Sequence, residues 1–355
     1  MQWIDIPADS MAVLRRGAVI PAHLLALDEH RRLDARRQRA MTRYYLDAGA
    51  GGVAVGVHST QFAIREAGLY EPVLELAMQT ACDWAPLGGK RPLFMVAGLA
   101  GRTAQATREA GIARGLGYHA ALLSLAAMKG ASEDELIAHC SAVAQVMPLV
   151  GFYLQPAVGG IHLPSAFWQR FAQIGNVIAI KMAPFNRYRT LDVIRGAIAA
   201  RAEERVTLYT GNDDHIVLDL VTPFTFMRDG MPVTVRIKGG LLGHWSVWTK
   251  RAVELLDRVH AAVMQGAIPP ELLALDAQVT DCNSALFDVA HDFHGCIAGC
   301  HEVLRRQGLL QGTWCLDPGE GLSAGQAEAL SRVQRDYPHL VDDEFVAAHR
   351  ERWLA

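Results

Sequence analysis

Lys181 closes an apolar run that begins at Asn176, and an amine at the end of a buried strand is poorly solvated. Poor solvation lowers a lysine's pKa, and a neutral amine at neutral pH attacks carbonyl carbons to form a Schiff base. Tyr153 ends a second apolar run, residues 149–153, 28 positions before Lys181. That gap is about the length of one strand–helix–strand unit. Parallel strands so connected would bring phenol and amine out at one rim, with the tyrosine moving protons for the lysine. Ser59 is the candidate hydroxyl that links the phenol to substrate or solvent. A strand-end lysine by itself is usually a surface residue, and a lone tyrosine is usually core. The pairing singles both out.

Strands and helices must hold these groups. Apolar runs at 17–21, 52–56, 92–96, 120–124, 150–153, 177–181, 206–209 and 233–237 alternate with amphipathic stretches. Continuous apolar runs are what helix-covered parallel strands require. Among the helical stretches, 103–116 is one, and another starts at Ser132, where Glu135 completes a capping-box pattern. Eight strands alternating with helices in about 250 residues describe an α/β fold of the (β/α)8 TIM-barrel type. Past residue 258 the alternation stops, Pro269 and Pro270 punctuate the chain, and helical patterns run to Ala355. The expected division is a barrel over 1–262 carrying the active site, and a C-terminal helical region over 263–355 packed on it.

Of the 355 residues, 51% are hydrophobic, and 34 basic and 37 acidic residues leave a net charge of −3. That balance offers no surface for nucleic acid or anionic lipid. The arginines at 31, 32, 36, 37 and 39 are interleaved with Leu33 and Ala35 and read as the wet face of a helix. No stretch approaches the roughly 20 apolar residues of a membrane span, and the N-terminus has no signal-peptide pattern. Six scattered cysteines do not resemble a disulfide framework. A soluble cytoplasmic protein is expected.

A barrel of this kind places its active site at the C-terminal strand ends. Those ends carry His23, His58, Ser59, Thr60, Gly98, Lys181, Gly211, Asp213, Asp214, Lys238 and Gly239. His58 is a substrate contact or a loop histidine. Asp213 and Asp214 bind substrate or cap the next helix. Lys238 with Gly239 and Gly240, after the supposed eighth strand, could cradle a phosphate and would then signal a different enzyme class. His291, His294, Cys296, Cys300 and His301 match no established zinc spacing. Their small apolar neighbours fit a close-packed helix, and no metal is expected.

These residues resemble the dihydrodipicolinate synthase / N-acetylneuraminate lyase superfamily of Schiff-base aldolases and lyases. Tyr153-Leu154-Gln155-Pro156 is similar to its Tyr-Asn-x-Pro strand, and Ile180-Lys181 to its Ile-Lys strand. His58, Ser59, Thr60 and Gln61 fall where the family has its Gly-Thr-Thr-Gly-Glu loop, and residues 211–214 resemble the lyase branch's Gly-x-Asp-Glu segment. The resemblance implies a TIM barrel in which Lys181 forms a covalent imine without metal or organic cofactor. It also implies catalytic roles for Tyr153 and Ser59, and substrate contacts from His58, Thr60, Gly211, Asp213 and Asp214; Lys238 is a further candidate substrate contact by its place after the supposed eighth strand. The substrate would be a small carbonyl compound, a 2-oxo acid such as pyruvate or a sugar-derived relative. Family members are commonly tetramers, so a homo-oligomer, dimer or tetramer, is expected. Two departures stand out. Val158 occupies the place of the synthase branch's carboxylate-binding arginine, and residues 125–129 lack its aromatic. The expected enzyme is therefore a carbon–carbon or carbon–oxygen lyase, an aldolase or a dehydratase, but not a true dihydrodipicolinate synthase, with a non-catalytic small-acid-binding member as the other reading.

Overall fold

The computed structural model describes residues 1–355. Its strands are β1 (Val19–Pro21), β2 (Ala54–Val55), β3 (Val96–Leu99), β4 (Ala120–Leu123), β5 (Leu149–Tyr153), β6 (Val177–Met182), β7 (Thr207–Thr210), β8 (Phe224–Arg228), β9 (Met231–Val235) and β10 (Ile237–Leu242). The helices are α1 (Ala8–Arg16), α2 (Ala35–Ala48), α3 (Tyr70–Asp83), α4 (Thr103–Gly115), α5 (Glu133–Ala144), α6 (Ser165–Gln173), α7 (Arg187–Ala199), α8 (Ile216–Val221), α9 (Thr249–Gln265), α10 (Pro270–Leu286), α11 (Cys296–Arg306), α12 (Gln326–Asp336) and α13 (Asp343–Leu354). All strands but β8 and β9 form one sheet, in the order β1-β10-β7-β6-β5-β4-β3-β2. The pairings are parallel, and a bridge from Ala22 to Ala54 joins the two edge strands. The result is a (β/α)8 TIM barrel with C-terminal helices.

Alternation along each strand sorts its side chains between two cores. Ile20, Val96, Leu122, Val150, Phe152 and Ile178 fill the lumen. Val19, Ala97, Leu123, Leu149, Tyr153 and Ile180 face the helix layer. α5 starts as its sequence requires. Ser132 Oγ accepts from the Glu135 N–H at 3.3 Å, and the Glu135 carboxylate accepts from the Ser132 N–H at 2.7 Å.

Two expectations need correction. The eighth barrel strand is β10, not the run 233–237. Most of that run belongs to an antiparallel hairpin, β8–β9, which turns on Asp229 (φ 52°) and Gly230 (φ 79°). Asp-Gly between alternating residues is a strong hairpin signal. The arginines of 31–39 are also not simply a wet face. Arg31 donates to the Cys315 carbonyl, Arg36 to that of Leu354, and Arg37 to those of Gly308 and Leu309. They satisfy carbonyls at the ends of C-terminal helices and loops, tying that region to α2 and the loop before it.

Candidate active site

Lys181 points into the lumen near the C-terminal end of β6 and is 8% exposed. Its Nζ lies 4.5 Å from the centre of the Phe152 ring, the residue paired with it on β5. Gly211, just past β7, leaves room for the lysine stem. A Cβ at that position would stand 2.5 Å from Lys181 Cε and 2.9 Å from Ala183 Cβ. Burial pushes the ammonium below the ordinary lysine value, and the charge of Asp213 partly opposes that shift. Asp213 is itself buried. Its carboxyl is pushed up by burial, while the His244 N–H, donating at 3.0 Å, and the nearby lysine pull it back down. Burial therefore moves the proton affinities of the lysine and the aspartate toward each other.

The two groups line a cavity of about 660 Å³, including its mouth, at the C-terminal ends of the strands. His58 and Ser59 line it from the loop after β2, and Gln155 and Val158 from the loop after β5. Burial, and secondarily the charge of Lys181, pushes His58 down to about 4, so its ring is neutral near pH 7. Thr60 faces away. Its hydroxyl accepts from the Gly56 N–H and donates to the His23 carbonyl, which fixes the loop shape. Asp214 also points elsewhere, pairing with Arg187 at 3.2 Å.

Tyr153 does not meet Lys181. By the alternation of β5, Leu149 and Tyr153 face the helices, whereas Val150, Phe152 and Leu154 face the lumen. The phenol accepts from the Leu163 N–H at 3.2 Å, shares a hydrogen bond with His162 Nδ1, and its ring packs on Trp168 at 5.3 Å. In register, Phe152 stands opposite Lys181 and Tyr153 opposite Met182. The spacing to Lys181 suits one strand–helix–strand unit, but the tyrosine is on the wrong side of its strand. One residue of register separates a lumen-facing side chain from a helix-facing one.

Lys238 is likewise misplaced by the sequence reading. It follows the first residue of β10 and lines a separate cleft with Arg15, Glu203 and Thr207, near the N-terminal ends of the strands. Gly239 and Gly240 are small because the barrel is tight there, not because a phosphate approaches. A Cβ on Gly239 would stand 2.5 Å from the Ala18 nitrogen, and one on Gly240 would stand 2.5 Å from the Trp245 ring.

Sequence reasoning also missed the roof of the cavity. Residues 287–300, from the end of α10 into α11, cross the barrel mouth and contribute Phe287, Phe293, Cys296, Ile297 and Cys300. Cys296 and Cys300 sit one helical turn apart, a spacing visible in the sequence, but nothing there shows that α11 folds back over the mouth. Both are free thiols, and burial pushes Cys296 up to about 12. No three His, Cys, Asp or Glu side chains converge as metal ligands would. Asp288 holds the crossing segment by accepting from the Gly295 N–H at 3.0 Å and from Ser323 Oγ.

The parallel barrel thus carries a buried lysine and a buried aspartate in one cavity at its C-terminal rim. The profile of the dihydrodipicolinate synthetase family matches residues 15–222, more than half of the 355 residues. The chain belongs to that family. Among solved structures, dihydrodipicolinate synthase from Oceanobacillus iheyensis superposes with a TM-score of 0.73 at 14% identity, covering 93% of this chain and 99% of that one. N-acetylneuraminate lyase from Fusobacterium nucleatum gives 0.71 at 14% identity, covering 92% and 99%. The chloride-inhibited dihydrodipicolinate synthase from Acinetobacter baumannii, complexed with pyruvate, gives 0.73 at 16%, covering 91% and 99%. At such identities the likeness is one of fold. No curated protein matches the sequence.

Proposed function

We propose that the protein is a Schiff-base-forming lyase or aldolase acting on a small 2-oxo acid, pyruvate or a sugar-derived relative. The observation that carries this reading is the buried Lys181 amine beside Asp213 in the cavity at the barrel mouth. Membership of the family supports it. Lys181 adds to the substrate's keto carbon once its proton has left, and the protonated imine then withdraws electrons from the adjacent bond. That chemistry calls for no metal or organic cofactor.

With the Tyr153 phenol committed to the outer layer, Asp213 is the proton carrier this reading uses. A carboxyl whose affinity is raised toward neutrality both accepts and returns a proton near pH 7. Ser59 and the neutral His58 supply polar contacts at the β2 side for the substrate's carboxylate. Val158 lines the cavity and no arginine does, which supports an enzyme other than a dihydrodipicolinate synthase. A homo-oligomer belongs to the same reading, with Met227 and Met231 exposed on the β8–β9 hairpin in its support.

Borohydride reduction in the presence of a series of 2-oxo acids tests the proposal. Irreversible, oxo-acid-dependent inactivation of the wild-type protein is expected, with a covalent adduct that is absent from Lys181→Arg. Oxo acids that bind without any trapping would sink it and leave a binding protein.

A further inference from the structure

The cavity around Lys181 carries few polar side chains, Lys181, Asp213, His58, Ser59 and Gln155, and most of its lining is apolar. Two phenylalanines belong to that apolar lining. Phe185, from the loop after β6, and Phe293, from the segment crossing the mouth, meet edge-to-face with ring centres 5.8 Å apart. Both sit in left-handed backbone, at φ 50° and 68° respectively. A bulky residue there costs about 1–3 kcal/mol, and such strain persists where the surroundings impose it, often at functional sites. Asn212 holds one of them, its Oδ1 accepting from the Phe185 N–H at 3.1 Å. Asp288 braces the other through the Gly295 N–H. Ile297, 8% exposed, lines the same cavity, and Lys181 is the only lysine or arginine lining it.

An enzyme that joins or separates two carbonyl fragments must hold both. The 2-oxo acid fragment engages Lys181 and places its carboxylate toward His58 and Ser59. The other fragment then meets phenylalanine rings and an isoleucine, with no second cation to receive a phosphate or a second carboxylate. We propose that this second fragment is an uncharged, apolar aldehyde, held against Phe185, Phe293 and Ile297. The inference rests on the Schiff-base reading and names the substrate class within it.

In the joining direction Lys181 Nζ adds to C2 of the oxo acid and water leaves, giving the imine. Loss of a C3 proton gives the enamine, and its C3 bonds to the aldehyde carbon while the aldehyde oxygen takes up a proton. Water then hydrolyses the imine, freeing the lysine and a 4-hydroxy-2-oxo acid. Cleavage runs these steps backwards.

The test pairs pyruvate with two aldehydes of equal heavy-atom count, pentanal and glyceraldehyde, and compares kcat/KM for each. Because one methylene in an apolar pocket is worth about 10-fold or more, a preference for pentanal of at least that size is expected. Phe293→Asn and Phe185→Asn tolerate the left-handed backbone and remove a ring, so each should lower the pentanal-to-glyceraldehyde ratio. Equal rates or a preference for glyceraldehyde, with the pyruvate adduct still trapped by borohydride, overturn this inference alone. Failure to trap pyruvate or any other oxo acid overturns the Schiff-base reading and this inference together.

Discussion

Gly211→Ala isolates the placement of the catalytic amine. The new methyl carbon would stand 2.5 Å from Lys181 Cε, 3.0 Å from its Cγ and 2.9 Å from Ala183 Cβ. Ordinary contact is near 3.5–4.0 Å between carbons. The lysine stem is flexible and can swing aside, so the fold is expected to absorb the change for about 1–3 kcal/mol, the usual cost of overpacking. The amine cannot keep its position. Restoring ordinary contact displaces it by about 1 Å, and a misplacement of that size costs on the order of 100-fold in rate. The assay is the rate of borohydride trapping with saturating pyruvate, read beside thermal unfolding of the same protein. A large loss of trapping rate with a modest loss of melting temperature is expected. Trapping at the wild-type rate would refute the claim that the space above Gly211 positions the nucleophile.

Tyr153→Phe removes the phenol's hydrogen bonds to the Leu163 N–H and His162 Nδ1, at a cost of about 1–3 kcal/mol, and should leave turnover close to wild type; a loss of several orders of magnitude would return the phenol to the site. Asp213→Asn should lower turnover by about 10²–10⁴-fold. It should also move the midpoint of the trapping rate against pH downward, because the Asp213 charge raises the lysine's proton affinity; an unchanged or raised midpoint contradicts that influence. Stability should fall on acidification from pH 6.5 toward 4. The buried His23, His244 and His301 and the half-buried His58 have pKa values lowered from 6.5 to about 4, so the unfolded chain binds more protons than the native one across that window. Asp213 and Asp342, raised by burial, offset part of this, leaving a net uptake of about two protons on unfolding near pH 5. Denaturation midpoints measured from pH 7 to 4.5 check it, and a flat or rising profile would count against it.

The barrel was legible because eight apolar runs at regular spacing admit few other arrangements, and Lys181 was legible because a lysine ending such a run is chemically conspicuous. What failed was the finer register. Whether Phe152 or Tyr153 faces the lysine depends on one residue of strand pleat, and Gly151, which lets the Phe171 ring approach within 2.6 Å of its missing Cβ, carries that information only once the helices are in place. The eighth strand slipped for a similar reason. An apolar run across β9 and β10 hides the boundary between a surface hairpin and a barrel strand, although the Asp229-Gly230 turn marks the hairpin. The roof residues Phe287, Phe293 and Ile297 lie more than 100 positions from Lys181. Nothing local in their sequence shows that they return over the mouth.

Peptide mass mapping after borohydride reduction with pyruvate tests the central claim most directly. A reduced pyruvyl adduct on Lys181, and on no other lysine, is the expected result. An adduct elsewhere, or an unmodified Lys181 after exposure to the full series of 2-oxo acids, would contradict it.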